Sequence, residues 1–71
     1  MKVIVKVKFN AMKERIEKFG LNKYLLYLAH DEDEESNTII IAYLSRNLGV
    51  PPGKMRFAGL DPHKDRVFEV L

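Results

Sequence analysis

Cysteine is absent from the 71 residues, which excludes disulfides, a thiolate metal site and a thiol nucleophile. Long apolar runs are absent as well: none exceeds six residues, Ile39 to Leu44 being an example, far short of the roughly 20 that span a bilayer. The opening Met1-Lys2-Val3-Ile4-Val5-Lys6 alternates where a secretory signal would be continuously apolar, so a cytoplasmic protein with no membrane partner is expected. Gly20, Gly49, Gly53 and Gly59 stand singly, and no glycine-rich phosphate loop is present. Length is also in short supply. A chain of this size buries only about 60% of its unfolded surface on folding. Its expected net stability of roughly 4 to 10 kcal/mol leaves little surplus for a strained catalytic pocket.

What is there is enough to fold. The apolar share is 46% and the charged share 31%, too apolar for a disordered chain and too charged for a membrane protein. The formal charge of +2 conceals an uneven distribution, because Asp31, Glu32, Asp33, Glu34 and Glu35 hold five of the ten acids. Elsewhere 12 lysines and arginines face 5 acids, a balance of +7 that can steer an anionic partner or simply keep a small protein soluble.

Val3, Val5, Val7 and Phe9 alternate with Lys2, Ile4, Lys6 and Lys8, the period of a half-buried strand. Between Ala11 and Phe19 two readings stay open, a helix behind Asn10 or a short strand over Arg15 to Phe19. After the turn residues Gly20 and Asn22, Lys23 to Ala29 reads as a second major strand, expected to form an antiparallel hairpin with the first. Thr38 to Tyr43 is rich in β-branched residues and reads as a strand on propensity alone. Its context predicts a helix from about Asp33 to Leu48. The acidic run suits a helix N-terminus, Asp33 or Ser36 can cap free amides, and Ile40, Ile41, Leu44 and Leu48 share a face. Gly49, Pro51 and Pro52 then form a stop. Lys54 to Ala58 reads as an amphipathic strand, Gly59 to Asp65 as a loop, and Arg66 to Leu71 as a closing strand. The whole is one α+β domain, residues 1–71, with a short sheet covered on one face by a single main helix.

That order, with Val5-Lys6-Val7-Lys8-Phe9-Asn10-Ala11, Asn37, Leu44 to Pro51 (LSRNLGVP), Gly59 and the closing Val67-Phe68-Glu69-Val70, resembles the YggU-like family of small uncharacterised proteins, domain of unknown function family 167. The resemblance covers nearly the whole chain. It implies a mixed, four-stranded sheet, joined by a short extra strand if Arg15–Phe19 is extended, whose first and last strands are neighbours under helical cover on one face. The family's second, C-terminal helix is not expected here. Two segments depart from the family: Glu34, Glu35 and Ser36 replace its Gly-Lys-Ala, and Leu60 to Arg66 keeps only Lys64, Asp65 and Arg66 of its Thr-Ser-Arg-x-Lys segment. The family brings no established activity and no cofactor.

Three candidate chemistries follow. Asp31 to Glu35 is a carboxylate run suited to a hard cation or, more simply, to a solvated helix start, since the EF-hand spacing is missing. Asp61, His63 and Asp65, with His30, supply nitrogen and oxygen ligands, or plain surface pairs. Ser36 and Ser45 are read as a cap and a helix-surface residue rather than nucleophiles. The third feature is basic: Lys2, Lys6 and Lys8 on one strand, Lys54 and Arg56 on another, Lys64 and Arg66 leading into the last. If these share the uncovered face, they can meet phosphates while Tyr24 or Tyr27 stacks on bases. An open face must be polar in any case, and edge lysines also guard against aggregation. The leading expectation is a non-enzymatic binding module with RNA as its partner. The alternatives are a protein-interaction adaptor that docks a partner chain through the helix flank around Ile39 and Tyr43 or through an open sheet edge, and a small metal protein or enzyme using Asp61, His63 and Asp65.

Overall fold

In the computed structural model, which describes residues 1–71, the alternating opening segment forms strand β1, Lys2–Lys8. Next come β2 (Arg15–Gly20), β3 (Lys23–Tyr27), helix α1 (Ser36–Leu48), a single 3₁₀ turn (Pro52–Lys54), β4 (Met55–Leu60) and β5 (Arg66–Val70). The strands make one five-stranded mixed sheet in the order β2-β3-β1-β5-β4, so the ambiguous segment is a strand and the first and last strands are neighbours.

The expected hairpin between β1 and Lys23–Ala29 is not formed. β3 runs parallel to β1, pairing Val5 with Tyr24 and Val7 with Leu26, and its antiparallel hairpin partner is β2. The segment after β1 explains this. Asn10 takes a left-handed conformation (φ 59°), which asparagine tolerates better than most residues. The Asn10 and Ala11 amides then donate to the His30 and Leu28 carbonyls at 3.1 and 2.9 Å, carrying the chain past the end of β3. β2 returns on the far side, and β3 fills the place between the two.

The helix forms in spite of its β-branched content because its apolar positions recur at helical spacing. Ile40 and Leu44 are fully buried against the sheet, and Ile41 and Leu48 pack beside them. The helix begins at Ser36 and not at Asp33, so the carboxylates of 31–35 precede its first turn. Asp33 accepts from the Glu35 amide at 2.8 Å, and the Ser36 hydroxyl accepts from the Asp33 amide at 2.8 Å. At the other end Gly49 adopts φ 69°, a left-handed cap, and donates to the Ser45 carbonyl at 2.9 Å. Ser45 is not a helix-surface residue: it is buried, and its hydroxyl donates to the Val50 carbonyl at 2.5 Å. The core lies wholly between the helix and one face of the sheet, where Val3, Val5, Leu26, Leu28 and Phe68 are all fully buried.

Glu14 ties the 9–14 segment to this layer. Its carboxylate accepts from the Tyr43 hydroxyl and from the Ala29 amide, the latter at 3.1 Å. The Tyr43 hydrogen bond, followed by that of Ala29, holds the Glu14 carboxyl below its ordinary value, and the same bond raises the Tyr43 phenol. A depressed carboxyl contributes stability that is complete above its unfolded-state value and disappears as pH falls through its folded value. Glu14→Gln is therefore expected to lower the neutral melting temperature slightly and to flatten the acid limb by the same small amount, because the pair is exposed. Superimposable acid limbs for the two proteins would contradict this.

Candidate nucleic-acid interface

Side chains alternate across a strand, so burial of Val3 and Val5 under the helix turns Lys2, Ile4, Lys6 and Lys8 to the opposite, uncovered face. The registers extend that face into rows. Arg15, Tyr27 and Lys8 form one, and Glu17, Leu25 and Lys6 the next. Lys23, Ile4 and Val67 follow, then Lys2, Glu69 and Arg56. Within these rows six cations share one surface with two carboxylates. Arg56 pairs with Glu69 at 3.5 Å and Arg15 with Glu17 at 3.8 Å, whereas Lys2, Lys6, Lys8 and Lys23 have no acidic partner.

Of the basic residues singled out from sequence, Lys2, Lys6, Lys8 and Arg56 are brought together. Lys54 ends the 3₁₀ turn at the corner where β4 begins, exposed, two residues before Arg56. Lys64 and Arg66 do not join them. Arg66 pairs with Val5 and so belongs to the helix side, where its guanidinium bonds Glu32 and lies 5.3 Å from the Phe9 ring centre. With Lys64 it lines a depression of about 230 Å³ on that side. The Glu32 contact also places part of the acidic run there, away from the open face. Lys23 and Arg15 take the vacated roles. Their strand parity with Tyr27 and its neighbour across the hairpin is the signal that finds them.

The two tyrosines divide in the same way. Tyr24 is 4% exposed beneath the helix and is not available to a ligand. Tyr27 faces outward with the Arg15 guanidinium 4.3 Å over its ring centre. Phe19, at the irregular pairing between Lys18 and Gly20, adds an exposed aromatic ring, 56% accessible, to the half-buried Tyr27.

Beside Phe19 the open face is concave. A depression of about 450 Å³ has Ile4, Leu25 and Phe19 as its apolar lining, Lys6 and Lys23 as its cations, and Asp61, His63 and Asp65 completing the lining. These last three belong to a tight loop. Asp61 accepts from the His63 and Asp65 amides, both at 2.9 Å, and Lys64 is held at φ 65°. One oxygen of Asp61 is thereby engaged within the loop, while the Asp65 carboxylate makes no hydrogen bond. His30 does not approach these residues to complete a ligand set; its ring tilts against Phe9 with centres 6.5 Å apart. No group of three or more His, Cys, Asp or Glu side chains converges on a point.

On the helix side, Ile39 and Tyr43 are half-buried against the core. No helix is long and apolar enough to cross a membrane. Comparison with known protein families, curated proteins and solved structures finds no match to this chain.

Proposed function

We propose that this domain is a cytoplasmic, non-enzymatic module that binds single-stranded RNA on its uncovered sheet face. One observation carries the reading: four lysines without acidic partners, Lys2, Lys6, Lys8 and Lys23, share the uncovered face with two aromatic rings, Tyr27 and Phe19. Lysines along a strand neutralise phosphates and release counterions. Exposed aromatic rings between them stack unpaired bases, each worth about 1 to 3 kcal/mol by alanine substitution. A duplex hides its base faces, so a single strand is the ligand that uses both features. Packing of Ile39 and Tyr43 on the core, with the Tyr43 hydroxyl engaged by Glu14, favours this reading over an adaptor that docks through the helix flank.

The test is fluorescence anisotropy with a labelled single-stranded RNA at low salt, using the native chain and Tyr27→Ala. Binding that weakens roughly tenfold in the variant is expected. Absence of binding by the native chain would overturn the proposal, and so would full retention in Tyr27→Ala together with Phe19→Ala.

A further inference from the structure

The depression beside the 61–65 loop has a chemistry more selective than a phosphate-binding face requires. Its volume, about 450 Å³, is within the usual range of small-ligand sites. It combines an apolar surface from Ile4, Leu25 and Phe19 with a carboxylate, Asp65, that also borders the helix-side depression and has no ion-pair partner. Lys6 and Lys23 line the same depression, yet neither forms an ion pair with Asp61 or Asp65. Cation and carboxylate thus remain separately available, one for a phosphate and the other for donors on a base.

We infer that this depression takes one guanine of a bound RNA, with the Asp65 carboxylate accepting hydrogen bonds from its Watson–Crick edge. The inference rests on the RNA reading given above. An ionised carboxylate only accepts, and its two oxygens match two adjacent parallel donors. Guanine alone among the four bases presents such a pair, the ring N1–H beside the exocyclic amine. In adenine and cytosine the amine is next to a ring nitrogen whose lone pair opposes the second oxygen. In uracil a single N–H lies between two carbonyls. Phe19 and Leu25 then cover the base faces, and Lys6 and Lys23 meet the flanking phosphates. Tyr27 lies two residues along β3 from Leu25, about 7 Å away, a span suited to the next base of an extended strand.

The experiment measures affinities of the full chain for oligouridine nonamers carrying a single central guanosine, inosine, adenosine, cytidine or uridine. Guanosine is expected to bind about tenfold more tightly than the other standard bases, as one well-made carboxylate pair would give. Inosine, which keeps N1–H and lacks the amine, should fall between. Asp65→Asn should remove the preference. That variant keeps the backbone bonds between positions 61 and 65, and a thermal melt checks its fold. Equal affinity for all five oligomers overturns the base pocket and leaves the RNA reading standing, and a guanosine preference that survives in Asp65→Asn overturns the role of Asp65. No binding to any of them overturns both. Free guanosine monophosphate binding as tightly as the nonamer would instead overturn the RNA reading while supporting the pocket.

Discussion

Phe68→Ala is expected to lower the melting temperature by at least about 12 °C, and at the lower end of the stability range to leave much of the chain unfolded at 25 °C. Phe68 is the largest fully buried side chain. It is on β5 opposite Val3 and faces the helix layer, with Phe57 meeting it edge-on at 5.6 Å between ring centres. Removing a buried phenyl ring costs about 3 to 5 kcal/mol, because the cavity left behind closes only in part. A domain of this length has a net of roughly 4 to 10 kcal/mol to lose. No disulfide supplements it. Each lost kcal/mol moves the midpoint of so small a domain by about 4 to 8 °C. Phe57→Ala, at a position already 40% exposed on the edge strand, should cost a small fraction of that. Circular dichroism melts of the two variants decide the matter: a fall of less than about 5 °C for Phe68→Ala would mean that the core is not centred where the sheet and helix meet.

The parts of this fold that were legible in the sequence are those whose burial has a clear period. Val3, Val5 and Val7 announce β1, and Ile40, Leu44 and Leu48 with Gly49 behind them announce a helix that propensity alone would have made a strand. Pairing direction was hidden because it depends on β2, whose Arg-Ile-Glu-Lys-Phe-Gly places only Ile16 against the core. An edge strand of that composition has almost no apolar signature, yet it decides that β3 lies parallel to β1. Orientation within strands was legible and needed parity rather than charge. Arg66 is two residues from Phe68 and must share its face, whereas Tyr24 and Tyr27 are three apart and must face opposite ways. Of the depression, Lys6, Asp61, His63 and Asp65 were singled out in the sequence, but not that they meet one another. It exists because Asp61 gathers the amides of its own loop, which sets Asp61, His63 and Asp65 beside side chains of β1, β2 and β3.

Replacing Lys6 and Lys8 by glutamate together should weaken RNA binding at 50 mM salt by at least about tenfold, and replacing both by glutamine should reveal why. Each phosphate contact on a single strand contributes about 0.7 to the slope of log affinity against log salt, so loss of two contacts reduces the slope by about 1.4. The glutamine pair isolates that counterion effect, and the glutamate pair adds repulsion. Both side chains are exposed and unpaired, so the fold should tolerate either change. The decisive comparison is Arg46→Glu with Lys18→Glu, which alters net charge by the same amount on the helix side of the sheet, where Lys18 pairs with the buried Tyr24. If the open face is the interface, that control keeps nearly the native slope and loses little affinity. Equal weakening by both pairs would mean that the RNA responds to the total charge of a small basic protein, and the segregation of its lysines onto one surface would have no part in binding.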